Sequence, residues 1–77
     1  MPIYFFDFKD NGRVFSDHIG SYLDNDFLAQ KEAISTLFDV IRTTDCLKQR
    51  IIEIRIRDVS GRAIYRTELK FVDEMLD

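Results

Sequence analysis

The sequence predicts an α+β two-layer sandwich of β-β-α-β-β order, one helix packed on a four-stranded, mostly antiparallel sheet. Three observations carry this. Residues 3–8 and 51–59 are rich in aromatic and β-branched residues, and each stretch runs into a turn signal. Between them, residues 25–43 change to helical spacing. Finally, 45% of the 77 residues are apolar, with seven Phe and three Tyr, so even a chain this short can enclose a core without metal or disulfide.

The opening segment IYFFDF (3–8) leads into Asn11-Gly12, a pair that supplies the two positive-φ positions of a type I′ hairpin turn. That turn sets Asp10 opposite Arg13, Phe8 opposite Phe15 and Asp7 opposite Ser16. Tyr4, Phe6, Phe8 and Phe15 then share one face, and Ile3, Phe5, Asp7, Val14 and Ser16 the other. Residues 17–24 read as a loop in which Gly20 relieves a backbone turn.

From Asn25 to Thr43, Phe27, Ile34, Leu37, Phe38 and Ile41 recur at steps of three, four and seven, with Ala33 filling the same stripe. Gln30, Lys31, Glu32, Ser35, Asp39 and Arg42 take the opposite side. Asp24, Asn25 and Asp26 stand where a helix start needs side-chain acceptors and negative charge. Thr43, Thr44 and Asp45 weaken the helix and end it.

IIEIRIRDV (51–59) alternates strictly, with Ile52, Ile54 and Ile56 on one side and Ile51, Glu53, Arg55 and Arg57 on the other. Asp58 to Gly61 forms a second turn, with Asp first and Gly last as a type I turn prefers. The return strand (62–72) puts Ala63, Tyr65, Thr67, Leu69 and Phe71 beside the isoleucines, and Ile64, Arg66, Glu68, Lys70 and Val72 on the outer face. A strand order of 2-1-3-4 makes every neighbour antiparallel. The whole chain, residues 1–77, reads as one domain, with no repeats and no linker.

The order of "YFFDF", "DNGRVFSD", Gly20, Leu23, a helix with Ala29 and Ala33, and "IRIRDVSGRAIYR" resembles a family of short alphaproteobacterial proteins classed as a domain of unknown function. The resemblance spans nearly the whole chain and implies the same architecture, without an activity. Leu28 and Gln30 depart from its pattern. In topology the chain is also distantly similar to HicB-type antitoxin domains, which pair with an RNA-cleaving toxin. This chain leaves no room for the separate DNA-binding segment that such proteins often carry.

Several function classes lose ground on composition. The single Cys46 forms no internal bridge and fits a reduced thiol in a cytoplasmic protein. The start MPIYFFDFKD lacks the basic residues and long apolar run of a secretory signal, and no stretch is long enough to span a membrane. Net charge is −3, with both signs interleaved, which argues against general affinity for nucleic acid or anionic membrane. No Gly-rich phosphate loop, Cys/His metal spacing or nucleophile elbow is present, so neither a cofactor nor an enzymatic activity is expected.

Three candidate sites remain. Asp7, Asp17 and His18, with Asp10 nearby, carry metal-ligand or acid/base side chains, but the register places Asp7 and Asp17 two positions out of line. That stretch is expected to be scaffold, with Asp10 supporting the turn and Asp17 and His18 bonding loop amides. Arg55, Arg57, Arg62, Arg66 and Lys70 gather on the outer face of the second hairpin, a phosphate-tracking surface in which Glu53 and Glu68 are embedded. Ile3, Phe5, Val14, Ile51, Ile64 and Val72 fall on the sheet face that a lone helix cannot cover, a contiguous apolar patch for a homodimer or another protein partner. The leading expectation is a non-catalytic cytoplasmic protein-interaction or regulatory module that self-associates. The alternative is a nucleic-acid-associated regulator using the arginines, and a metal-assisted hydrolase ranks third.

Overall fold

The computed structural model describes residues 2–43 and 49–76. Its elements are β1 (Ile3–Asp10), β2 (Arg13–Phe15), β3 (Ser21–Tyr22), α1 (Asp26–Thr43), β4 (Arg50–Arg57) and β5 (Ala63–Phe71). The sheet runs β2-β1-β4-β5, with β3 pairing off this path with the start of β1, and every pairing is antiparallel. This is the α+β sandwich and strand order expected from the sequence, with the two-residue β3 added.

β4 occupies the centre because its two faces differ so sharply. Ile52, Ile54 and Ile56 are fully buried against the helix side, and burying each contributes roughly 1.5–3 kcal/mol. On the flanking strand, Tyr4 is buried, while Phe6 and Phe8 pack partly against the same cluster. Tyr65 and Leu69 of β5 close it from the other side.

The first hairpin has the expected turn, with Asn11 at φ 48° and Gly12 at φ 89°, the pair of positive values a type I′ turn demands. Phe8 faces Phe15 and Asp10 faces Arg13, as predicted. The β1–β2 ladder stops at Phe15, so the expected Asp7–Ser16 pair lies outside it. Asp10 gives its carboxylate to Arg50 of β4, not to Arg13. Asn11 locks the hairpin tip to the same strand: its amide N donates to the Ile51 carbonyl at 3.0 Å, and its Oδ1 accepts from the Ile51 amide at 2.8 Å. In the second turn, Asp58 Oδ1 accepts from the amides of Ser60 and Arg62, and Gly61 takes φ 88°.

Asn25 caps α1, its Oδ1 accepting from the Leu28 amide at 3.0 Å, as an N-cap side chain should. The first turn is also tied to the sheet, because Tyr4 donates its hydroxyl to Asp26 Oδ1 at 2.6 Å. The hydrogen bond to that carboxylate, with burial behind it, pushes the Tyr4 phenol up to about 12. Thr44, Asp45 and Cys46 lie outside the described residues.

The buried stripe of α1 differs from the one expected. Ala29, Ala33 and Leu37 are buried, with Val40 and Ile41 partly so, while Phe27, Ile34 and Phe38 are exposed. The reason is complementarity of size. Three isoleucines of β4 already fill the space between the layers, so the helix presents alanines where it approaches most closely and turns its bulkier residues to the side.

A second correction concerns Ala63. A register shift between Ile56 and Arg57 sets Ala63 opposite Arg57, whereas Tyr65 faces Ile56. One extra residue on β5 forms a bulge there, which removes Ala63 from the isoleucine face and leaves it exposed. Among the described residues, no helix is long and apolar enough to cross a membrane.

The tight helix–sheet approach makes Ala33→Leu a direct test. Forcing four-carbon bulk against the isoleucines should lower the unfolding free energy by about 1–3 kcal/mol, measured by urea denaturation. Phe38→Ala, at an exposed position, should leave it within about 0.5 kcal/mol.

Candidate functional site

The face of the sheet away from α1 carries charge through its middle. Asp7 faces Arg55 and Lys9 faces Glu53 across the β1–β4 pair. Across β4–β5, like charges stand directly opposite, Glu53 against Glu68 and Arg55 against Arg66. Such pairs destabilise a sheet unless other partners intervene. Here they do, along diagonals and along each strand. Glu53 Oε1 accepts from Arg55 Nε at 2.6 Å and pairs with Arg66 Nε at 3.1 Å, while Arg66 also reaches Glu68 at 2.6 Å. Glu53 and Arg66 therefore pair diagonally rather than directly across.

Glu53 is only 7% exposed despite facing outward. The Arg55 hydrogen bond holds its carboxyl below the usual range, against the opposing effect of burial. The network thus encloses a carboxylate whose ionised form is favoured by its arginine partners.

At one end of this face the loop after β2 folds over β1. Asp17 is its organising residue. Its Oδ1 accepts from the amides of Ile19 and Gly20, both at 3.0 Å, and its Oδ2 accepts from the Phe6 amide at 3.1 Å. Its own amide donates to Asp7 Oδ1 at 3.0 Å. Arg57 completes the clamp, donating Nε to Asp7 Oδ2 at 2.6 Å and Nη2 to the Asp17 carbonyl at 2.9 Å. Asp7 and Asp17 are therefore neighbours, not two positions out of line. The sequence register could not show this, because the chain leaves the ladder after Phe15 and curls back.

Both aspartates are held below the ordinary carboxylate range. For Asp7 the Arg57 hydrogen bond dominates over burial, with the Asp17 amide helping. For Asp17 burial pushes upward, but the amides of Gly20, Phe6 and Ile19 and the charge of Arg57 outweigh it. A carboxyl that works as a general acid near neutral pH needs the opposite shift. His18 is exposed next to the clamp, and Asp10 sits at the far end of the hairpin with Arg50. Among the described residues, no three His, Cys, Asp or Glu side chains are grouped to hold a metal ion. The stretch around Asp17 is a loop-to-sheet lock.

Along β1 and β4, the charged residues Asp7, Lys9, Glu53 and Arg55 stand between the apolar residues expected to form one patch. Ile3 and Phe5 are half-buried beneath the loop, where a Cβ at Gly20 would meet Ile3 Cδ1 at 2.9 Å and Phe5 Cε1 at 3.0 Å. The Arg57 guanidinium also lies 5.1 Å from the centre of the Phe5 ring, within cation–π range. Val14, Ile51, Ile64 and Val72 are exposed, but at the margins of the face.

Arg55, Arg57 and Arg66 are each tied to a carboxylate, and Lys70 and Arg62 are exposed beside them. Three of these five cations are thus paired with carboxylates.

The exposed apolar surface that sequence reasoning missed lies on α1 and the adjoining edge strand. Phe27, Ile34 and Phe38 stand at i, i+7 and i+11 on one side of the helix, with exposures of 64%, 41% and 61%. Ile34, Leu37 and Phe38 line one wall of a groove whose other wall is Thr67, Glu68 and Leu69 of β5. The available signal was the competing stripe Ala29, Ala33, Leu37 and Val40, whose small residues mark the closest approach to a bulky sheet.

A two-layer α+β domain with one helix, one charged sheet face and a locked N-terminal loop is the class these features define. The chain belongs to the family described as a domain of unknown function (DUF6894), which matches residues 3–70. No curated protein and no solved structure matches it.

Two outcomes follow from the lock. Gly20→Ala should destabilise by about 1–3 kcal/mol, more than Gly12→Ala, because both glycines have positive φ but only Gly20 is closely approached. Because Asp7 and Asp17 have lowered folded-state pKa values, their stabilisation is complete above the unfolded value of about 4 and lost as pH falls through the folded one. Chemical denaturation from pH 6 to pH 2 should show stability dropping in that acid range, and Asp7→Asn should flatten the drop.

Proposed function

We propose that this chain is a non-catalytic protein-interaction module that works by self-association. The observation that carries the reading is the row Phe27, Ile34 and Phe38, left in water along one flank of the only helix among the described residues. Large apolar side chains on one helix flank, two of them bordering a groove, resemble the apolar centre of a protein–protein contact. A small domain also gains from such a contact, since its own core is limited by its length. Supporting the non-catalytic part, the carboxyls of Asp7, Asp17 and Glu53 are all held below the usual range by arginine or backbone amides that engage them.

The arginine hairpin supports a nucleic-acid role less well. Binding phosphate there would require Arg57 to leave Asp7, and Arg55 and Arg66 to leave the buried Glu53, which then stays behind without its partners.

Sedimentation velocity over a hundredfold concentration range tests the reading. Concentration-dependent assembly is expected, weakened by Phe38→Glu without loss of secondary structure. A wild-type chain that stays monomeric at the highest concentration would refute it.

A further inference from the structure

We infer that the partner is a second copy of this chain, and that the two copies pair β5 with β5, antiparallel about a two-fold axis at Thr67, to make one continuous sheet. The inference rests on the self-association reading and specifies how it is achieved. β5 is a nine-residue strand at the end of the sheet order, and among the described residues nothing pairs with its outer edge. It contains no proline to block pairing, so it presents a long row of backbone donors and acceptors. The opposite edge is different, because β2 has only three residues and the chain then turns away into the Asp17 loop.

The sequence of β5 complements itself. Thr67 is the middle residue of Ala63–Phe71, so a two-fold axis there permits the longest overlap. In antiparallel pairing, residues equidistant from the axis stand opposite one another on the same face. Arg66 therefore meets Glu68 of the partner subunit, and Glu68 meets the partner's Arg66, on the charged face. On the helix face, Tyr65 meets Leu69 of the partner subunit and Leu69 the partner's Tyr65, both of which are half-buried in the isolated chain. Moving the axis one residue either way sets Arg66 against the partner's Arg66, or Glu68 against the partner's Glu68. Charge thus selects one register out of the neighbouring ones.

The helix layer agrees with this axis. The groove between α1 and β5 is bordered by Thr67 and Leu69 and opens along the same edge, with Ile34 and Phe38 on its wall. Joining two copies at Thr67 brings both grooves to the axis, so Ile34 and Phe38 of each chain are covered by the other. Backbone pairing, ionic match and apolar closure coincide on one isologous surface.

Charge exchange tests the register in the full-length chain. Glu68→Arg places an arginine opposite Arg66 of the partner subunit while leaving the buried Glu53 surrounded by cations, so the fold should persist. It should raise the dimer Kd at least tenfold by sedimentation. Arg66→Glu should do the same, and an equimolar mixture of the two variants should recover a heterodimer, because every crossing pair is then opposite in sign. Thr67→Cys in a Cys46→Ser background should yield a disulfide-linked dimer on air oxidation, and decides the question if Arg66→Glu does not fold. Assembly that is indifferent to Glu68→Arg and gives no Thr67→Cys cross-link would overturn this pairing while leaving self-association standing. A wild-type monomer at all concentrations would overturn both.

Discussion

The strict alternation along β4 is the constraint on which the rest depends. Its even positions, Ile52, Ile54 and Ile56, are sealed against the helix, and its odd positions include Glu53, Arg55 and Arg57 on the other face. As the strand between β1 and β5, it makes most of the sheet's contacts, so its pattern is imposed on both neighbours. The helix must bring small residues to meet three isoleucines. The opposite face must resolve the charges that β4 places there, and it does so with β1 and β5 carboxylates and arginines.

The charged face illustrates how context decides the effect of a residue. Directly opposed like charges at Glu53–Glu68 and Arg55–Arg66 would weaken an isolated hairpin. Within the sheet, same-strand and diagonal contacts to Glu53 convert the same residues into a connected network. Burial strengthens these interactions by excluding water, and it also makes the network costly to open. Arginines bound in this way are better placed to stiffen the sheet than to recruit a phosphate.

The Asp17 loop has a comparable role at the other end. The Asp17 carboxylate gathers three amides, and Arg57 bridges the Asp17 backbone carbonyl to Asp7, so a segment with little regular structure is held over Ile3 and Phe5. Covering those two residues removes the apolar centre that the open face would otherwise have. Exposed apolar side chains remain on the helix flank, at Phe27, Ile34 and Phe38, and on β5 at Ile64.

Local patterning by itself determined the helix and the four main strands, the Asn11-Gly12 turn with its register, and the inward isoleucines. These features depend on neighbours within a few residues, through backbone φ preference and side-chain periodicity, and both are written directly in the chain. Only the tertiary structure decided which stripe of α1 is buried, since Phe27, Ile34 and Phe38 satisfy helical periodicity as well as Ala29, Ala33 and Leu37 do, and the choice turns on the volume already filled by β4. It likewise decided that Asp7 meets Asp17, that Ala63 leaves the inner face at a bulge, and that Ile3 and Phe5 are covered. Each of these is a contact between segments brought together by a loop whose path no periodicity encodes, or by packing volumes that exist only once two layers have met.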